Sequence, residues 1–417
     1  RFASITSYHD VSGGDPVRWL LACLFAVAVT PGVARAIDCS QTSIGRTPLD
    51  DLGPGLYLGQ FEGGLYPNGS NALPIGPWRT EGLARAAAIQ PLDTSGRPHP
   101  NGAILLECMG MSNAAQEFGS ETSGLLKFAR RARLDPDTNP HVRLINGCRS
   151  SAVTSAWSDP DSEGWRHFRT APGTQMPGFT VSIEQVQAVW LKVGVARPAR
   201  QYPSLPSASA HAYAHARQIA VALRVVAAEL PNVRIVFLSS RTYGGYSDPT
   251  QTLSPEPYPY ESGFAVKWLV ESQIREIATG EVDPLGLGVG SLDYRTGSVP
   301  FIAWGPYLWA DGAVPRSDGL TWDCGPNDGM GNYGDFEQDG VHPTRWGEQK
   351  VSDLLLAFFQ SSPLTRPWFS VPEPDGLLLQ GAACAALVGL ARRRQSQASR
   401  TPDSATQPHA SQSPHRA

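Results

Sequence analysis

Short apolar runs, each four to six residues long, recur along the middle of the chain. They fall at Ala103-Ile-Leu-Leu106, Val142-Arg-Leu-Ile145, Val186-Gln-Ala-Val-Trp-Leu191, Val233-Arg-Ile-Val-Phe-Leu238 and Phe301-Ile-Ala-Trp304. Near-continuous runs of this length, without alternation, predict strands buried on both faces. Between them the period lengthens. His211 to Leu230 is long and alanine-rich and stops at Pro231, so it predicts a helix. Gly263 to Thr279 carries Phe264, Val266, Leu269, Val270 and Ile274 near helical spacing. Val351, Leu354, Leu355, Phe358 and Phe359 follow i, i+3, i+4, i+7, i+8, which predicts an amphipathic helix. Strands alternating with helices imply an α/β domain whose central parallel sheet is covered on both faces. In such sheets, sites form beyond the carboxyl ends of the strands.

Before the first run the pattern is different. Residues 37–100 are rich in Gly, Pro and Asn, with apolar patches such as Gly55-Leu-Tyr-Leu-Gly59. They read as an irregular extension with short strands, packed on a main domain at 101–360. No internal repeat stands out.

The two ends change the picture of where the chain works. Val17-Arg18 precedes the apolar run from Trp19 to Val29, and Ala34-Arg35-Ala36 follows. A positive flank, a short greasy core and an Ala-x-Ala site have the form of a signal peptide. Cleavage is expected after Ala36, and Arg1 to Asp15 looks like misannotated upstream sequence. Pro372-Glu-Pro374, the apolar run Gly376 to Ala391 and Arg392-Arg-Arg394 stand near the other end. This order, at residues 371–394, resembles a PEP-CTERM sorting signal. The resemblance implies processing by an exosortase-type enzyme, transient membrane insertion through the apolar helix, and the envelope or extracellular matrix of a Gram-negative bacterium. Residues 395–417 depart from that pattern and read as a disordered Ser/Gln/Pro-rich tail.

Composition narrows function by exclusion. A formal net charge of −4 offers no basic footprint for nucleic acid, and 41% hydrophobic residues are enough for a sizeable core. Of six cysteines, Cys39, Cys108, Cys148 and Cys324 fall in the mature domain. In an exported protein they allow one or two disulfides, with three full pairings open. No spacing suggests zinc, and no cofactor is expected. Asn327, Asp328, Asn332 and Asp335 could form a calcium loop, but EF-hand spacing is absent and a turn-rich loop is the preferred reading.

Two motifs carry chemistry. The first strand runs into Gly110-Met-Ser112-Asn113, which puts a serine at the active edge; a serine hydroxyl needs a base to become nucleophilic. Asp339-Gly-Val-His342 precedes the last helix, where a carboxylate can orient an imidazole base. An acidic residue there reads equally as a helix-start residue bonded to backbone amides. Each motif is weak alone. Together, in this order, they resemble the first and fifth blocks of the SGNH (GDSL-like) hydrolases, closest to the Gly-x-Ser-Asn carbohydrate-esterase type, over roughly residues 100–360.

That resemblance implies a three-layer, flavodoxin-like SGNH hydrolase fold. It also implies a serine esterase acting on acetyl or other esters of an extracellular polysaccharide, with Ser112 as nucleophile, His342 as base and Asp339 orienting it. A glycine after the second strand and an asparagine after the third would complete the oxyanion hole. Gly147 and Asn146 are the candidates after the second strand. The third continues as Lys192-Val193-Gly194, with no asparagine, and the literal match at Gly325-Pro-Asn327-Asp328 comes too late in the chain. The missing asparagine leaves open a second reading, a non-catalytic carbohydrate-binding or matrix protein on a decayed hydrolase scaffold. Asn113, Arg241 and Tyr243 are candidate substrate-binding residues, the last two on the loop after the fourth strand. Trp304, Tyr307 and Trp309 suit a sugar face or an ordinary core.

Overall fold

The computed structural model describes residues 37–371, apart from 177–179, 248–252 and 327. Both terminal signals lie outside the described residues. Five parallel strands form the central sheet: β1 (Ile104–Gly110), β2 (Val142–Asn146), β3 (Val186–Lys192), β4 (Ile235–Leu238) and β5 (Phe301–Trp304). Their spatial order is β2-β1-β3-β4-β5, the doubly wound order in which the chain switches direction beside β1. All residues of β1, β3, β4 and β5 are buried, as the unbroken apolar runs require.

The principal helices are α1 (Pro77–Ala87), α2 (Ser112–Phe118), α3 (Phe128–Leu134), α4 (Glu163–Gln175), α5 (His211–Glu229), α6 (Tyr258–Thr279) and α7 (Arg345–Ser361). α2, α3 and α7 pack together on one face, and α4, α5 and α6 follow one another across the other. Register explains the first face. Trp190 and Phe237 are neighbours on β3 and β4. Trp190 stacks on Phe118 of α2 at 5.9 Å, and Phe237 meets Phe359 of α7 edge-on at 5.6 Å. α5 buries Ala212, Ala214, Ala216, Ala220 and Ala222 beside Ile219, Leu223 and Val226, so much of its buried surface is made of small residues. Such residues let it lie close against α6.

The five strands and three helices foreseen from periodicity are present, with shifted ends. β1 runs on to Gly110 through the buried Glu107, and α6 begins at Tyr258 rather than Gly263. Residues 37–100 are less irregular than expected. Besides a short hairpin (Leu56–Tyr57 with Phe61–Glu62) they contain α1, opened by a proline at its first position. Trp78 of α1 stacks on Phe301 at 4.7 Å and donates to Gln273 of α6, which seats this helix against β5. Disulfides join Cys39 to Cys324 and Cys108 to Cys148. Among the described residues, no helix is long and apolar enough to cross a membrane.

Candidate active site

β1 turns directly into α2, and Gly110 allows it. A Cβ at that position would stand 2.4 Å from the Lys192 carbonyl oxygen and 2.7 Å from the Ala114 methyl. Ser112 is thereby the first residue of α2, at the carboxyl edge of the sheet. Facing it is the loop between a short hairpin (Asn332–Tyr333 with Phe336–Glu337) and α7.

Asp339 organises that loop. Its Oδ1 accepts the backbone N–H groups of Val341 and His342, both at 2.9 Å, and its Oδ2 accepts from His342 Nδ1 at 2.5 Å. The two sequence readings of Asp339 therefore coexist, one on each oxygen. The cap of α7 is another residue, Thr344, whose hydroxyl accepts from Trp346 N–H. On the far side of the imidazole, His342 Nε2 lies 2.7 Å from Ser112 Oγ. Ser112, His342 and Asp339 thus form one continuous hydrogen-bonded line. Asn113 braces it by donating from Nδ2 to the Val341 carbonyl at 2.7 Å.

The electrostatics follow from the contacts. The Asp339 hydrogen bond raises the His342 pKa above 6.5; partial burial and the Arg241 charge oppose the rise. Burial would lift Asp339, but the bonds from His342 and from the two amides outweigh it and hold the carboxyl below 3.8.

Two cavities meet at Ser112 and His342. One, of about 430 Å³, is open and polar, bordered by Gln116, Lys127, Ser150 and Glu337. The other, of about 350 Å³, is walled by Met111, Val153, Val195, Leu253 and Val341, with Arg241 among them. The loop after β2 supplies Ser150 and Ser151 to it, not the expected pair. Asn146 Nδ2 is bonded to the Ala115 carbonyl and its Oδ1 to the Cys148 amide, so the side chain is committed. Gly147 sits tight against Glu107 and Phe168. Neither Asn146 nor Gly147 borders either cavity.

Tyr243 is also elsewhere. It is buried, packed edge-on against Tyr246 at 4.9 Å, with its hydroxyl turned to the Gln41 carbonyl. Its role is packing between the extension and the loop after β4. Asn113 and Arg241 do reach the site, but as buried groups bonded to each other, Arg241 Nη2 to Asn113 Oδ1 at 3.3 Å. The aromatics after β5 face a separate cleft of about 560 Å³, bordered by Trp304, Tyr307, Asp50 and Arg316 and sharing no residue with the Ser112 cavities. Trp309 is wholly buried and donates to Glu256.

The acidic loop behaves as a turn. Asp328 accepts from Met330 and Asn332, and Asp335 from Lys350 and the Asp323 amide. Among the described residues, no three His, Cys, Asp or Glu side chains gather as metal ligands. Sequence reasoning missed the buried pair formed by Glu117 of α2 and Lys192 at the end of β3, bonded at 2.5 and 2.6 Å.

No family model and no curated protein matches the chain. Solved structures are similar at a distance. A Bacillus subtilis protein is 12% identical with a TM-score of 0.31, over 63% of this chain and only 58% of that one. A putative GDSL-like lipase from Parabacteroides merdae is 12% identical, TM-score 0.31, over 61% of this chain and 94% of its own. A family two carbohydrate esterase from Clostridium thermocellum, solved with cellohexaose, is 12% identical, TM-score 0.27, over 62% and 63%. At such identity and superposition no residue role passes from them to this chain.

Proposed function

We propose that this chain is a serine esterase in which Ser112, His342 and Asp339 act as a relay. The observation that carries it is the line Ser112 Oγ, His342 Nε2, His342 Nδ1, Asp339 Oδ2, with links of 2.7 and 2.5 Å. In the reading, Ser112 Oγ bonds to an ester carbonyl carbon while His342 Nε2 takes its proton. The carbon–alkoxide bond then breaks and His342 returns the proton to the departing alcohol. Water repeats the sequence on the acyl-enzyme, releasing the acid.

The cavities support an assignment of the two halves of the substrate. The apolar 350 Å³ cavity suits the acyl group and has room beyond acetyl; the open polar cleft suits a hydroxyl-rich alcohol such as a sugar. The two disulfides are compatible with work outside the cytoplasm. Together with the export and sorting signals read from the sequence, an extracellular polysaccharide ester is the substrate we infer.

Hydrolysis of p-nitrophenyl acetate by the full chain and by Ser112→Ala tests the proposal. Ester turnover that disappears in the variant supports it; equal rates sink it. Labelling with a fluorophosphonate probe separates the alternative of a non-catalytic scaffold, which would leave the wild type unlabelled.

A further inference from the structure

We propose that Arg241 is the charged donor that holds the negative oxygen formed when Ser112 attacks an ester carbonyl. This rests on the esterase reading above and deepens it.

Arg241 follows β4 and is only 5% exposed, yet it borders the cavity shared by Ser112 and His342. Its stem crosses over Gly194, two residues past the end of β3, where an added Cβ would stand 3.2 Å from Arg241 Cδ. The glycine therefore leaves the space that the arginine occupies. Nη2 donates to Asn113 Oδ1, while Nη1 is buried with no partner among the described residues. Nor does any carboxylate among them pair with this guanidinium. Glu117, the acid whose charge it feels, is gripped by Lys192 at 2.5 and 2.6 Å. A buried cation without a counterion is costly, and cores retain such groups where an anion must be met.

Two sources of negative oxygen are conceivable, a carboxylate carried by the substrate and the oxygen of the tetrahedral intermediate. The placement favours the second. Asn113, which holds the guanidinium, is the residue after the nucleophile, and its other end holds the carbonyl of Val341 next to His342. The cation thus belongs to the same short network as the reacting atoms. The other walls, Met111, Val153, Val195, Leu253 and Val341, suit an uncharged acyl group. As the Oγ–carbon bond forms, the carbonyl π pair moves onto oxygen, and Arg241 donates to it. The pair returns when the alkoxide leaves with the proton from His342.

The test uses Arg241→Lys, Arg241→Gln and Arg241→Met in the full chain, with p-nitrophenyl butyrate as neutral ester and p-nitrophenyl hemisuccinate as anionic one. Gln and Met should lower kcat about 100- to 1000-fold on both esters, with KM moved little, and Lys should recover part of the loss. Thermal unfolding of Arg241→Met should be unchanged or higher, because an unpaired buried charge is gone; a merely structural arginine would give the opposite shift. Unchanged kcat overturns the proposal. So does a loss confined to the hemisuccinate, which would make Arg241 a substrate-carboxylate site, or a loss that tracks lowered stability in all three variants. Full activity in the Arg241 variants beside a dead Ser112→Ala would sink this inference alone. An active Ser112→Ala would sink the esterase reading itself.

Discussion

Replacing Asp339 with Asn changes one atom and should separate orientation from charge at this site. In the native loop, Oδ1 holds the amides of Val341 and His342 while Oδ2 accepts from His342 Nδ1. An asparagine can keep its oxygen on the two amides, so the loop should hold its shape. Its NH₂ then faces Nδ1 and can only donate. The imidazole must answer with a bare Nδ1, which moves the proton to Nε2. That nitrogen, 2.7 Å from Ser112 Oγ, becomes a donor and can no longer take the hydroxyl proton. A wrong-tautomer base of this kind costs roughly 10⁴-fold in kcat, about 5 kcal/mol of barrier. Stability should change little, because the pair is partly exposed and the backbone bonds survive. The pH profile adds a second readout. The hydrogen bond to Asp339 raises His342 above 6.5, and protonated His342 is an inactive base. Wild-type activity should therefore fall as pH drops through an inflection above 6.5. In Asp339→Asn the residual activity should show that inflection at lower pH. Steady-state hydrolysis of p-nitrophenyl acetate from pH 5 to 9, with Ser112→Ala as the floor, measures both. A loss of less than tenfold with an unmoved acid limb would refute the orienting role.

Other outcomes follow from the same structure. Lys192→Met should destabilise by about 3–5 kcal/mol in denaturant unfolding, since it strands Glu117 without a partner, and adding Glu117→Leu should recover most of it. Glu107 is fully buried with neither oxygen bonded among the described residues, and burial raises its pKa well above 4.5. The folded state keeps a proton that the unfolded chain releases, so this residue should erode stability as pH rises from about 4.5; Glu107→Leu should raise Tm more at pH 8 than at pH 4. Gly110→Ala should lower both Tm and kcat, because its Cβ meets the Lys192 carbonyl at 2.4 Å, a backbone atom that cannot step aside cheaply. Across p-nitrophenyl esters from acetate to octanoate, kcat/KM should peak beyond acetate, since the acyl cavity holds about 350 Å³; a monotonic fall from acetate would argue against that assignment.

The sheet was readable from sequence for a specific reason. Strands covered on both faces need apolar residues at every position, and runs such as Val186–Leu191 announce themselves without alternation. What blurred the reading was buried polar residues within the elements. Glu107 hid the second half of β1, and Glu261, which takes the Leu205 amide, hid the first turn of α6. Helix α1 was missed because its pattern is weak; it is anchored by one residue, Trp78, whose partners Phe301 and Gln273 lie some 200 positions away. Local periodicity carries no trace of such contacts.

The site divides along the same line. Chain order alone brings Ser112 to a strand end and Asp339 and His342 to the start of the last helix, because in a doubly wound sheet every strand delivers its carboxyl end to one edge. Which residue beside them faces the cavity is a question of one rotation about the backbone. Asn146 has the right chemistry for a donor but gives its amide to the Ala115 carbonyl. Tyr243, two residues after Arg241, turns into the core. Arg241 was visible as a loop residue at the active edge; its value lies in what sequence cannot display, that it is buried, crosses a glycine and meets no carboxylate among the described residues. Burial without a counterion is the feature that turns an ordinary arginine into a testable part of the chemistry, since a buried cation with no counterion in the resting fold should be removable without loss of stability and with loss of rate.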